Sequence, residues 1–285
     1  MVIIIKKKMK IFLFRFTSIN YYYMDILKQR IALTWGDAGE NHVGMEIIGN
    51  LQDSGTGFTY RDLQQMNNYL KEKHSLNTEL VDLSLDTNNK ANVLIIRNFI
   101  ESVTQNDILN ELNNCKWDNK YYDRRRKKVL NKRARYNLLF QHGISQESDF
   151  ENGKGTIIDL DKLEILKNVE SKLFNILQDA LKNITTFTEW VPLICEGNNY
   201  YDIKKCYIGF HGDSERTRVI CLSIGGKDYP MQWQWFKNSK NVSFPFTIKI
   251  NSGDIYIMSE KAVGQDWKKR SLYTLRHGAG YKVMR

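Results

Sequence analysis

The sequence has no C-x-x-C pair and no lattice of half-cystines. Its four cysteines, Cys115, Cys195, Cys206 and Cys221, are scattered through 285 residues, which excludes a disulfide scaffold and points to a reduced, intracellular chain. No apolar run approaches the roughly 20 residues that a spanning helix needs, so no transmembrane segment is expected. There is no internal repeat, no low-complexity tract and no glycine-rich phosphate loop of either nucleotide-binding type. What remains is globular in kind: a chain 42% hydrophobic and 12% aromatic is too apolar for disorder, and a fibre would need a repeat. The length suffices for one large domain with an appendage, or for two small ones.

The positive charge is concentrated. Residues 1–23 carry Lys6, Lys7, Lys8, Lys10 and Arg15 with no acid, and residues 118–135 carry nine basic side chains against Asp118 and Asp123. Together they exceed the whole formal charge of +10, and the rest of the chain sums to −2. In the first segment Arg15 breaks the apolar stretch and no small-residue cleavage site follows, which excludes a secretory signal. A disordered basic leader is expected there, with the folded protein opening at Met24; a basic amphipathic membrane arm is the alternative. The second segment, Arg124, Arg125, Arg126, Lys127, Lys128, Lys132, Arg133 and Arg135, lies between WDNKYYD and YNLLF. Cations interleaved with rings suit a phosphate backbone and its stacked bases, so these eight are the candidate nucleic-acid contacts. A solvated charged loop is the plainer reading.

Hydropathy patterning divides the chain into the leader (1–23), an accessory segment (24–90) and a main domain (91–285). In the accessory segment Thr59 is a capping signal before Leu63, Met66 and Leu70 at helical spacing, while TWGDAGENHVGM (34–45) reads as turn. VLIIRNF (93–99) predicts a strand and Gln105 to Leu112 a helix. EILKNVESKLFNILQDALKNI (164–184) predicts an amphipathic helix with Ile165, Val169, Leu173, Ile176, Leu177 and Leu181 on one stripe. From about Thr188 the period falls to two: CYIGFHGD, RVICLSIG, FTIKI, GDIYIMS and SLYTLRH are short strand-like runs. Helices followed by many short strands predict an α+β chain, an antiparallel barrel or sandwich with helices on one face.

Of the five histidines, only His211 is followed two residues later by a carboxylate, in GFHGDSE. On a strand, His211 and Asp213 would project to one face. With His277, at the end of SLYTLRH, they would form a two-His, one-carboxylate facial triad that leaves open positions on Fe(II). His42, His74 and His142 are expected to be structural, each in a helix or turn without a carboxylate partner.

The stretch NYYDIKKCYIGFHGDSE (199–215) resembles the pattern Asn-x-Tyr, turn, Ile-Gly-x-His-x-Asp-x-Glu of the iron and 2-oxoglutarate-dependent dioxygenases, and among them the AlkB-like nucleic-acid demethylases. RVICLSIG and NSGDIYIMS are similar to that family's next strand and to the strand before its second iron-binding histidine. The resemblance spans residues 91–285. It implies a double-stranded β-helix (jelly roll), with His211, Asp213 and His277 on Fe(2+) and Asn199 and Tyr201 hydrogen-bonding 2-oxoglutarate, which O2 consumes. Two features depart from the family. The stretch between Asp254 and His277 is long and contains the polar insert SEKAVGQDWKKR. The usual closing strand, with two arginines around an Asn and a Thr, is not seen after His277; Arg285, or else Lys282, is the expected partner of the distal 2-oxoglutarate carboxylate, the fork of an arginine suiting it better. The implied activity is oxidative demethylation or hydroxylation of nucleic-acid bases by a monomer. A dioxygenase acting on a protein side chain or small molecule, and a non-catalytic nucleic-acid-binding or virion protein, are the alternatives.

Overall fold

The computed structural model describes residues 28–182, 184 and 192–283; the expected leader (1–23) and Arg285 lie outside them. The first half holds β1 (Arg30–Gly36), β2 (Ala38–Glu40), β3 (Ile47–Gly49), α1 (Tyr60–His74), β4 (Thr78–Asp82), β5 (Asn92–Ile96) and α2 (Ser102–Asn113). Then come β6 (Lys120–Asp123), β7 (Lys128–Asn131), β8 (Tyr136–Gln141), β9 (Ile157–Asp159) and α3 (Glu164–Leu181). The second half holds β10 (Ile194–Tyr200), β11 (Ile208–His211), β12 (Val219–Gly225), β13 (Tyr229–Lys237) and β14 (Lys240–Asn241). It ends with β15 (Phe246–Ile250), β16 (Ile255–Met258), the short α4 (Glu260–Val263) and β17 (Thr274–Ala279).

The fold is α+β, mostly sheet with a few helices. An eight-stranded sheet runs β4-β5-β16-β12-β1-β10-β8-β9, curled into a half-barrel, and a five-stranded sheet runs β11-β17-β13-β14 with β15 also on β13. The large sheet is buried on both faces. Its outer face packs Ile31, Leu33, Trp35, Ile220 and Leu222 against Leu63, Met66 and Leu70 of α1 and Leu166, Leu173 and Leu177 of α3. Its inner face packs Ala32, Tyr200, Cys221 and Tyr256 against Tyr229, Met231, Trp233, Trp235 and Leu275 of the smaller sheet. The helices form where the apolar stripes and caps dictate: Thr59 closes a reciprocal capping box with Asp62 at the start of α1. Among the described residues no helix is long and apolar enough to cross a membrane.

The 24–90 segment is not peripheral to this core. Its strand β1 lies between β10 and β12, antiparallel to both, and β4 is the edge strand beside β5. Residues 34–36, read as turn, complete β1. A boundary at residue 90 therefore cuts through one sheet and one core, because β1 pairs only with strands far along the chain.

Candidate metal centre

β11 and β17 pair antiparallel with His211 directly opposite His277, their ring centroids 4.4 Å apart. Asp213 lies just beyond the end of β11 and is placed by a different element from the one expected. Its N–H donates to Val263 O of α4 at 3.1 Å. The intervening Gly212 is required by closeness: a Cβ there would sit 2.0 Å from Gly264 O. Asp213 Oδ1 is 3.4 Å from His211 Nε2 and 3.7 Å from His277 Nε2. One donor atom from each of the three falls within 4.8 Å of the others, separations that one ion with bonds of about 2.0–2.2 Å can bridge.

The electrostatics suit ligation. Burial drives the His277 imidazole down to about 4, with His211 and Arg216 adding repulsion that Asp213 only partly offsets, so near neutral pH it is the uncharged form that binds metals. Burial would raise the Asp213 carboxyl, but Arg216, His277 and His211 outweigh it and hold it well below the usual carboxylate range. His211 Nδ1 donates to Gly209 O at 2.9 Å, which leaves Nε2 facing Asp213 as an acceptor. The donor set therefore fits Fe(II) or a similar divalent ion.

Behind the triad stands Arg216, whose side chain is only 4% exposed. Its Nε lies 3.7 Å from Asp213 Oδ2, its Nη2 donates to Glu215 Oε1 at 2.9 Å, and the same nitrogen donates to Glu196 Oε2. Glu196 in turn accepts from Asn198 Nδ2 at 2.9 Å.

The residues expected to hold 2-oxoglutarate, Asn199 and Tyr201, do not face the interior. Along β10, Glu196, Asn198 and Tyr200 oppose Thr34, Ala32 and Arg30 of β1 and face the barrel interior. Asn199 opposes Ile31 and points to the helix side, where it accepts from Gln29 Nε2 at 3.1 Å. Tyr201 stacks on Tyr136 at 4.5 Å and donates to Arg133 O at 3.0 Å. Neither reaches the interior, because successive strand residues alternate faces. Lys282 is exposed, its Nζ 5.6 Å from the Tyr207 ring, and Arg276 faces outward over Phe236 at 4.4 Å.

Arg30 is a further buried cation, one that sequence reading passed over. It is 1% exposed, has no carboxylate ion pair among the described residues, and keeps Nη2 without a hydrogen-bond partner. Its Nε donates to Ser223 Oγ at 2.9 Å. Ser223 sits opposite Ala32, two residues toward the metal end of β1, so the guanidinium is turned that way. The rings of Tyr229 and Tyr200 flank it at 4.7 and 5.5 Å. A buried guanidinium without a carboxylate partner among the described residues fits a carboxylate ligand. A cleft of about 380 Å³ lies elsewhere, against Ser54, Thr59, Tyr60, Lys90 and Glu260, and contains none of these groups.

The basic segment forms the hairpin β6–β7. Arg124, Arg125, Arg126, Lys127, Lys128 and Arg133 are exposed. Lys132 is not: buried, it donates to Asn41 Oδ1 at 2.7 Å and Asn137 Oδ1 at 2.9 Å, and burial pushes its ammonium down to about 7. Arg135 donates to Asn198. Two of the eight candidate contacts are thus internal polar links. The hairpin packs on the connection between β2 and β3, Tyr121 stacking on His42 at 3.7 Å. Its Arg124 side chain borders Gly44, whose N–H donates to Glu40; Glu40 is in turn electrostatically coupled to Glu215 and Lys268. The other histidines are structural, but two have carboxylate partners after all: His74 with Asp179 at 3.1 Å, and His142 with Asp161 at 3.0 Å and Glu170 at 2.7 Å.

No family model matches the sequence. The chain is 39% identical over 265 residues to "Uncharacterized protein R156" of Acanthamoeba polyphaga mimivirus, an alignment covering 90% of this chain and 98% of that one. Identity at that level over nearly the whole of both sequences places the chain in one family with that mimivirus protein.

Proposed function

We propose that the protein is an Fe(II)- and 2-oxoglutarate-dependent dioxygenase of AlkB-like kind, acting on nucleic-acid bases. The observation that carries this reading is the convergence of His211, Asp213 and His277 from β11, the turn after it and β17. Three neutral or anionic donors on one side of an ion leave its other side open, the arrangement of non-haem iron oxygenases. On the same reading the two sheets are the walls of a double-stranded β-helix. β1 then supplies the arginine and threonine, Arg30 and Thr34, that the resembling family carries on its closing strand.

Fe(II) with 2-oxoglutarate and O2 would supply oxidation of a substrate C–H bond, with succinate and CO2 as co-products. The chain's own part is positioning. His211, Asp213 and His277 would hold the ion, and Arg30, anchored on Ser223, would take the distal carboxylate of the cosubstrate. Tyr200, Tyr229 and Trp233 wall the interior and exclude water. The exposed cations of the β6–β7 hairpin would hold a phosphate backbone at the rim, and a base flipped from its stack could then enter.

The test is anaerobic binding of Fe(II) and then 2-oxoglutarate, followed by succinate release in air with methylated oligonucleotides. Wild type should bind both and release succinate faster with the methylated strand, and His211→Ala or Asp213→Ala should do neither. Metal binding without any stimulation by nucleic acid would move the substrate to a protein side chain or a small molecule. Absence of metal binding would defeat the enzyme reading altogether.

A further inference from the structure

We propose that Arg216 keeps the metal's remaining positions open by holding one oxygen of Asp213, and the carboxylates of Glu196 and Glu215, away from the ion. This role rests on the triad binding a divalent metal. The two oxygens of Asp213 are placed differently: Oδ1 faces both imidazoles at 3.4 and 3.7 Å, and Oδ2 faces Arg216 Nε at 3.7 Å. A carboxylate divided in this way offers the metal a single oxygen.

The other two carboxylates arrive from opposite directions. Glu215 follows Asp213 by two residues, and Glu196 comes from β10; both end on Arg216, Glu215 at 3.2 Å from Nε and 2.9 Å from Nη2. A planar guanidinium with five N–H donors can serve three acceptors at once, whereas a compact ammonium cannot hold the same geometry. Without that fork, the carboxylates it gathers beside Asp213 would be free to compete for a divalent ion that favours hard oxygen donors. Swinging onto the ion, they would fill the positions a bidentate cosubstrate needs. The crowding extends outward, since burial together with Glu215 and Glu196 pushes the Glu40 carboxyl up to about 7.

The experiment uses the full chain loaded with Co(II), following metal affinity, the visible spectrum and calorimetric binding of 2-oxoglutarate without turnover. Arg216→Gln should hold Co(II) at least as tightly as wild type, with an altered spectrum, and should lose about tenfold or more in 2-oxoglutarate affinity, the scale on which outer-shell partners act. Arg216→Lys should fall between. Adding Glu196→Gln and Glu215→Gln to Arg216→Gln should restore cosubstrate binding, because the competing oxygens are gone; a merely structural arginine would show no such rescue. Unchanged 2-oxoglutarate affinity in Arg216→Gln, or no recovery in the triple variant, overturns the role. If Arg216→Gln does not fold, Arg216→Lys takes its place, and wild-type cosubstrate affinity in that variant overturns the role equally. Wild type that binds Co(II) no better than His211→Ala overturns the metal reading itself, a result separable from the others.

Discussion

Arg30 is costly where it stands. Enclosing a cation without a counter-charge carries a desolvation penalty that cation–π contacts and one hydroxyl bond only partly offset. Arg30→Met keeps the volume and removes the charge, so the ligand-free protein should unfold at the same temperature or higher. The stabilisation that wild type gains from 2-oxoglutarate in the presence of metal should vanish in the variant. Thermal unfolding with and without cosubstrate reads both effects, and a variant still stabilised by 2-oxoglutarate would show that the anchor lies elsewhere. His142 makes a second prediction at this scale. Burial opposes its charge, but hydrogen bonds to Asp161 and Glu170 prevail and raise its pKa. The Glu170 carboxyl is raised as well, chiefly by burial. A raised folded value means the stabilisation is complete below the unfolded histidine value of about 6.5 and is lost as pH climbs through the folded one. Both groups act in the same direction. In urea unfolding, wild type should therefore lose stability relative to His142→Gln as pH rises from mildly acidic to mildly alkaline values; parallel pH profiles would deny the histidine any part.

Among the elements, β1 carries the most and announced itself least. All seven of its residues are buried, so it has neither the period-two alternation of a half-exposed strand nor a helical stripe, and both its partners lie far along the chain. Arg30 at its head was passed over for that reason. The β10 register was hidden differently: the doublets in Asn198-Asn199-Tyr200-Tyr201 allow two alternations, and a shift of one residue exchanges inside for outside. The triad was legible because His211 and Asp213 are neighbours in sequence and His277 ends a strand-like run. The α1 cap and the α3 stripe were legible because both are local. What β1 contributes to stability can be measured at Trp35, which is fully buried, donates to Glu170 Oε1 at 2.6 Å and meets Phe174 edge-on at 5.8 Å. Trp35→Ala should cost about 3–5 kcal/mol, the range for a buried aromatic. On the same strand Ile31→Val should cost about 0.5–1.5 kcal/mol. A Trp35→Ala loss no greater than that of Ile31→Val in urea titrations would remove β1 from the core.

For the whole molecule, the nearly neutral remainder of the charge is a sum over unlike regions. Residues 227–283 hold ten Lys and Arg against four acids, and three of those acids are engaged: Asp254 with Arg97, Glu260 with the N–H groups of Gly55 and Gly57, and Asp266 with Lys261. The polar insert (SEKAVGQDWKKR) thereby exposes Lys268, Lys269 and Arg270, and Lys268 Nζ reaches Ser214 Oγ, beside Asp213, at 3.1 Å. The insert thus brings a cation beside the candidate metal triad. On the proposed nucleic-acid reading, a single strand held there would use the cations of both the insert and the β6–β7 hairpin. Each phosphate contact on a single strand contributes about 0.7 to the slope of log affinity against log salt, so removing three cations that make such contacts lowers that slope by about 2. Replacing Arg125, Arg126 and Lys128 with Ala should produce this change, and so should replacing Lys268, Lys269 and Arg270, in both cases with Co(II) and 2-oxoglutarate binding intact. A change in the hairpin variant alone would end the nucleic-acid track at the mouth. No change in either would mean that the charged rim does not grip a polyanion, and a protein or small-molecule substrate would then be the better fit to the same metal centre.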